Sequence, residues 1–280
     1  MSDPKNGNTF SIDRVDDADL GIGTAVVSAT GDWSLPLTGE RTIPGIPEEN
    51  YWFRRHEVVY EWLLERCRDA RVLEAGAGEG YGAAMIADVA ERVIALDYDR
   101  SAIAHIREVY PRVHPVRGNL AGLPLPDDAV DVVVNLQVIE HLWDQVGFLR
   151  ECLRVLRPGG SLIVSTPNRL TFSPGRDTPL NPFHTRELAP EELTELLIEA
   201  GFAVAEELGV RHAPTLARLD ARHGGSIIDA QLERALAGEP WPDDLVADVA
   251  GVTTADFAIT GTDLPTSLDL LTVAHRPTGR

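Results

Sequence analysis

Cysteine is nearly absent from this sequence: Cys67 and Cys152 are the only two in 280 residues. Two thiols are too few for a disulfide framework or a cysteine-based metal centre. Both fall in helical patterns, which makes them buried, reduced side chains. No stretch approaches the ~20 consecutive apolar residues that a bilayer span requires, so no membrane span is expected. The opening MSDPKNGNTF lacks the apolar core of a signal peptide, from which a cytoplasmic protein is expected. Basic residues are scarce, 25 against 44 acidic, giving a formal net charge of −19. Such a surface repels a nucleic-acid backbone, and the densest basic cluster (Arg54, Arg55, His56) is too small to reverse that. Nucleic acid is therefore not expected as a partner. Internal repeats and low-complexity tracts are missing too.

What is present is core-forming material. The chain is 44% hydrophobic, enough for one large globular domain. Residues 1–30 are polar, without a sustained period, and read as disordered. Residues 31–50 carry Pro36, Pro44, Pro47 and three glycines, which is loop chemistry. A helix is expected over 51–68, with Trp52, Val59, Trp62, Leu63 and Arg66 along one face. From there strands and helices alternate. Strands are expected at 71–75, 92–97, 113–119, 130–136 and 161–167, with helices at 80–90, 100–109 and 145–157, the last stopped by Pro158-Gly159-Gly160. A helix at 190–202, a strand at 203–208 and a last strand at 267–275 complete the pattern. The βαβα rhythm predicts a Rossmann-like, doubly wound α/β fold with a mostly parallel seven-stranded sheet. Residues 31–280 form one domain, with 209–266 inserted before the last strand and containing a helix at 226–238.

The most informative run is Glu74-Ala75-Gly76-Ala77-Gly78-Glu79-Gly80, between a strand and a helix. Glycines there let the backbone turn sharply and approach a ligand at the carboxyl edge of the sheet. Asp97 ends the neighbouring strand about twenty residues on, where a carboxylate can accept from both hydroxyls of a ribose. Dinucleotide enzymes use a similar loop, but they place a small residue five positions after the first glycine, and here that residue is Tyr81. Counting from Gly78 restores the spacing with Gly80 and Ala83, at the cost of running the strand through Gly76. Glu74 would repel a pyrophosphate, whereas it would attract a methionine ammonium or a sulfonium. These details favour S-adenosylmethionine.

VLEAGAGEGYG, VIALDYD, GNLAGLPLPDDAVDVVV, NLQVIEHL, LRPGG and STPN stand in an order and spacing that resembles the class I S-adenosylmethionine-dependent methyltransferases over residues 71–208. The resemblance implies that Glu74, Gly76, Gly78 and Gly80 hold the methionine end of the cofactor. It implies further that Asp97 binds the ribose, that Tyr98 borders the adenine, and that Gln137 faces the methyl-transfer point. Asn119 stands where many relatives carry an aspartate toward the adenine amine, and an amide oxygen can still accept there. LTGERTIP, ENYWFRRH, TFSPGRDTPLNPFHTREL and DARHGGSIIDAQ are similar to actinobacterial methyltransferases associated with methylglucose lipopolysaccharide formation. That similarity implies a sugar or glycan hydroxyl, in a small molecule or an oligosaccharide, as acceptor.

Methylating an alcohol requires alignment with the activated methyl carbon and removal of the hydroxyl proton. His141, after the fourth strand, and His184, after the fifth, are the candidate catalytic residues. His223 and His212, in the inserted segment, are lesser candidates. Arg176 and Arg186 can meet an anionic group or form ordinary surface pairs. Asp220 and His223 have no third ligand at a telling spacing, so no metal is expected. Tyr51, Trp52 and Phe53 beside Arg54 and Arg55 suit either core or a flap over the site. The inserted segment suits a lid or a contact between copies, which leaves a homo-oligomer open. Another small metabolite (a phenol, quinone or lipid precursor) is the alternative acceptor. A nicotinamide-dependent oxidoreductase is the alternative class, against which stands the lack of a suitably placed tyrosine-lysine pair.

Overall fold

The computed structural model describes Thr42, residues 44–237 and residues 240–279. The N-terminal segment read as disordered lies outside them. Among the described residues eight strands make one sheet: β1 Arg71–Ala75, β2 Arg92–Asp97, β3 Val113–Arg117, β4 Val130–Leu136, β5 Leu156–Pro167, β6 Ala203–His212, β7 Phe257–Thr260 and β8 Asp269–His275. Their order is β3-β2-β1-β4-β5-β8-β6-β7. The first five run parallel, and β8 enters antiparallel between β5 and β6. The order reverses between β1 and β4, and open α/β sheets bind ligands at such a point, outside the carboxyl ends of the strands.

The central strands are apolar on both faces because helices cover both faces. Val72, Val132 and Val134 point into one layer with Leu63 of α1 (Asn50–Cys67), Ile86 of α2 (Tyr81–Ile86) and Ile106 of α3 (Arg100–Val109). Leu73 and Val133 point into the other, with Phe148 and Leu149 of α4 (Gln145–Val155). Among the described residues no helix is long and apolar enough to cross a membrane.

Three sequence expectations need correction. The sheet has eight strands, not seven: β7 pairs antiparallel with the end of β6, from Gly209↔Thr260 to His212↔Phe257. Strand β6 thus continues past residue 208, and the insertion begins at Ala213. Pro158-Gly159-Gly160 does not end a helix. Helix α4 already stops at Val155, and these residues lie inside β5. Leu156 pairs with Val130 and Ser161 with Val132, so the run forms a bulge in the strand. Gly159, at φ +77°, turns its amide to the carbonyl of Arg276 at 2.9 Å.

A short α5 (Arg169–Phe172) and α6 (Pro190–Ala200) flank the loop after β5, and α6 packs beside α4. The insertion contributes α7 (Pro214–Arg222), α8 (Ile227–Ala237) and α9 (Asp243–Ala250) before β7. It docks on α1, where the Asn50 amide reaches the carbonyls of Val249, Ala250 and Val252 at 2.8–3.1 Å. Helix α1 is also bound to the last strand. Arg55, 2% exposed, donates from Nε and Nη2 to the two carboxylate oxygens of Asp269, each at 2.6 Å, and to the carbonyl of Leu268 at 3.0 Å.

Candidate active site

The loop from β1 to α2 is shaped by close approach. Gly76 (φ +90°) and Gly80 (φ +96°) have left-handed backbones that side chains avoid. A Cβ at Gly76 would lie 2.6 Å from Val138 Cγ2, and one at Gly80 would lie 2.4 Å from Ile106 Cγ1. Five of the loop amides are already engaged. Gly76 and Ala77 donate to the Leu96 carbonyl, Gly80 to the Ala77 carbonyl, Gly78 to Asp97 and Tyr81 to Glu79. A pyrophosphate site needs such amides free to meet its oxygens, so this loop is a steric cradle and not an anion nest.

Asp97, at the end of β2, is held over that loop. Its Oδ2 accepts from the Gly78 amide at 2.8 Å and its Oδ1 from the Asp99 amide at 2.9 Å. A carboxylate offers about four lone-pair sites in all. Tyr98 beside it is exposed. Asn119, after β3, spends one lone pair of its Oδ1 on the Ala121 amide at 2.9 Å.

Glu74 lies under the cradle and is 1% exposed. Its Oε1 accepts from the Tyr60 hydroxyl at 2.6 Å, while its Oε2 is buried without a hydrogen-bond partner. Burial pushes the carboxyl up to about 8, against the lowering effects of the Tyr60 hydroxyl and the Ala83 amide. A cationic group bound there would favour release of the carboxyl proton, so this buried acid beside the glycine loop suits a cationic ligand group. The fit to a methionine ammonium and sulfonium is therefore good, and the fit to a pyrophosphate is poor. Tyr60, Phe53 and Tyr81 roof the loop, with ring centroids 5.0–5.4 Å apart in edge-on pairs. Phe53 and Tyr51 are buried core, and Tyr51 donates to His212 Nε2 at 2.7 Å if that nitrogen is unprotonated.

The second half of the site follows β4. Gln137 sits at φ +56°, with its amide on the Ser165 carbonyl at 2.8 Å and its Nε2 on Ser165 Oγ at 3.1 Å. The short turn after it buries Glu140, which accepts from Thr166 Oγ1 at 3.0 Å and is pushed up to about 8 by burial. His141 donates from Nδ1 to the Phe183 carbonyl at 3.0 Å, which leaves Nε2 its lone pair. Burial foremost, then the neighbouring His184, holds His141 below its ordinary value.

His184 reaches this place because the Thr185 and Arg186 amides both donate to the Glu140 carbonyl. The two histidine rings meet edge to face with centroids 4.9 Å apart. His184 Nδ1 lies 2.7 Å from Glu187 Oε1 and its Nε2 lies 3.0 Å from the Asn181 amide nitrogen, which fixes the Nδ1-protonated form. The structure thus joins the two candidate histidines that the sequence holds over forty residues apart. The other two candidate histidines are engaged elsewhere. His212 Nδ1 is 3.1 Å from Asp220, and His223 Nε2 is 2.8 Å from Asp248 of α9. Arg176 and Arg186 are exposed. The groove between Pro47, Glu48, Trp241 and Ala250 shares no residue with the glycine loop.

Tyr60, Glu187 and Asn181 escaped the sequence reading. The i, i+3 spacing of His184 and Glu187 was the visible signal for one of them. Nothing local marked Tyr60, which reaches Glu74 only through the packing of α1.

A parallel sheet reversing at β1/β4, a glycine cradle and an acid at the end of β2 define a protein that binds a nucleoside cofactor. Comparison with known proteins narrows the class. Residues 73–164 match the family model described as Methyltransferase domain. A probable S-adenosylmethionine-dependent methyltransferase of Mycolicibacterium smegmatis is 67% identical over 247 residues, covering 87% of this chain and 96% of that one. Another of the same description from Mycobacterium tuberculosis is 64% identical, covering 87% and 90%. A solved S-adenosylmethionine-dependent methyltransferase from Mesorhizobium loti has the same fold (TM-score 0.53, 19% identity), covering 81% of this chain and 100% of that one. The chain belongs to the S-adenosylmethionine-dependent methyltransferases, and S-adenosylmethionine is its cofactor.

Proposed function

We propose that this methyltransferase is an O-methyltransferase acting on a sugar or glycan hydroxyl, of the polymethylated-glucan or methylglucose lipopolysaccharide type. The observation that carries the proposal is the His141–His184 pair, flanked by two aromatic faces turned to solvent. Trp143 is 92% exposed and Phe183 is 47% exposed. Exposed large rings at the mouth of a site are binding surface, and the C–H faces of a pyranose stack on such rings while its hydroxyls reach polar groups below.

In this reading Glu74 Oε2 meets the methionine ammonium, and Gly76, Gly78 and Gly80 provide the room for that end of the cofactor. Asp97 accepts from the ribose hydroxyls. Tyr98 and Asn119 border the adenine, and Gln137 flanks the methyl-transfer point. The cofactor supplies the activated carbon, so the chain's own task is alignment and activation of the acceptor. The acceptor oxygen forms a bond to the methyl carbon as the carbon–sulfur bond breaks, with that electron pair left on sulfur. The hydroxyl gives up its proton at the histidine pair. Of the two, His141 has the open nitrogen. The insertion, docked on the helix that roofs the loop, is read as an acceptor-side lid and the surface for any homo-oligomer. The enzyme is placed in the cytoplasm, consistent with its two free, buried cysteines.

The test is transfer of labelled methyl from S-adenosylmethionine to a panel of glucosides, oligoglucans and phenols. Label is expected in the glucans, and Trp143→Ala should raise their KM about tenfold with cofactor affinity unchanged. Label in phenols alone would overturn the sugar assignment.

A further inference from the structure

Glu140, His141 and His184 each turn one donor atom toward the others, and these atoms all lie within 4.8 Å of one another. Ligands about 2.0–2.2 Å from one divalent ion stand about 3–3.5 Å apart. A modest side-chain rotation therefore closes the set. The surroundings are those of metal ligands as well. A ligating histidine has its other ring N–H held by a carboxylate or a backbone carbonyl, which fixes the tautomer and aims the free nitrogen. Both histidines meet that condition. His141 Nδ1 is on the Phe183 carbonyl and His184 Nδ1 is on Glu187, a carboxylate with a fully buried side chain. Glu140 is itself anchored by Thr166. An N–H donor, the Asn181 amide, now occupies the side of His184 Nε2 that a cation would take.

We propose that Glu140, His141 and His184 bind a first-row divalent cation, manganese or zinc in preference to magnesium, which holds and acidifies the acceptor hydroxyl. Two nitrogen donors and one carboxylate favour that part of the metal series over magnesium, which takes oxygen ligands. Three protein ligands leave coordination positions open, and a hydroxyl bound in one of them becomes a stronger acid. In the metal-loaded enzyme its proton leaves to water and the imidazoles act as ligands, a role that replaces the base role given to His141 above. The chemistry of this step rests on the hydroxyl acceptor proposed above; the binding site itself does not. No metal was expected from Asp220 and His223, and the present three donors escape a reading by spacing because they come from two separate loops.

The test begins with chelator-stripped full-length protein titrated with manganese chloride, free Mn2+ being read by electron paramagnetic resonance, with zinc as competitor. One equivalent should bind. His141→Ala and His184→Ala should weaken binding at least tenfold, and Glu187→Gln roughly 10–100-fold. S-adenosylhomocysteine affinity, measured by calorimetry, should stay within about twofold in each variant and so report intact folding. If His184→Ala loses that affinity as well, His141→Ala and Glu187→Gln carry the comparison. Failure of the wild-type protein to bind either metal overturns the proposal, as does undiminished binding by folded variants. Methyl transfer to glucans that is indifferent to metal overturns it too and leaves the sugar reading standing. Stoichiometric, histidine-dependent binding without any hydroxyl acceptor preserves the site and removes the sugar reading.

Discussion

Glu74 shows how far a single position can be read from sequence. An acid before the glycines was visible, and with it the preference for a cationic cofactor. Its solitude was not visible, because Tyr60 and the closed roof come from another helix. That solitude has a pH signature. The folded protein keeps the Glu74 carboxyl protonated up to about 8, whereas the unfolded chain releases that proton near the ordinary carboxyl value of 4.5. The unfolded state therefore binds fewer protons across that window, and the group's contribution to stability is lost as pH rises through it. Without cofactor, Tm should fall between pH 5 and pH 8; Glu140, also pushed up to about 8, shares the fall, so Glu74→Gln should lessen it, and a variant slope equal to that of the wild type would contradict the assignment. The histidines illustrate the complementary case. His141 and His184 were each legible as candidates, but their meeting depends on Thr185 and Arg186 closing a loop onto Glu140, which no spacing announces.

Elements were read best where burial is two-sided. Strands β1, β2 and β4 and helix α3 fall where the apolar runs and the Asp99 cap put them. The misreadings arose where local signals compete. Pro158-Gly159-Gly160 carries strong helix-stop chemistry, yet the pairing of β4 with β5 absorbs it as a bulge. Strand β7 is only four residues long and gains its status from the edge of β6. Helix α1 was recognised as a helix, but its buried Arg55 looked like surface charge. Removing one member of a buried ion pair leaves the other uncompensated, at a cost of about 3–5 kcal/mol, while an apolar replacement of both is often close to neutral. Arg55→Ala should therefore destabilise the protein by about that amount in urea denaturation, and the double change Arg55→Met with Asp269→Leu should restore most of it. Equal losses in the two variants would show that packing, not charge, governs the contact.

At the scale of the whole molecule the cofactor and the fold are coupled. A ligand that binds only the native state adds about 2.7 kcal/mol of stability at a hundred times its Kd. S-adenosylmethionine and S-adenosylhomocysteine should each raise Tm by several degrees, and NAD should not. Asp97→Ala should abolish most of the rise without lowering the ligand-free Tm comparably; a shift with NAD alone would be incompatible with the closed amides of the loop. The tie between Arg55 and Asp269 spans 214 positions of sequence, and it bears on how the chain is made. During synthesis the helix that roofs the cofactor leaves the ribosome with its arginine unmatched, and the match arrives only with the last strand. Until then the helix lacks the carboxylate that anchors it, so its docking is completed only after the last strand has been made.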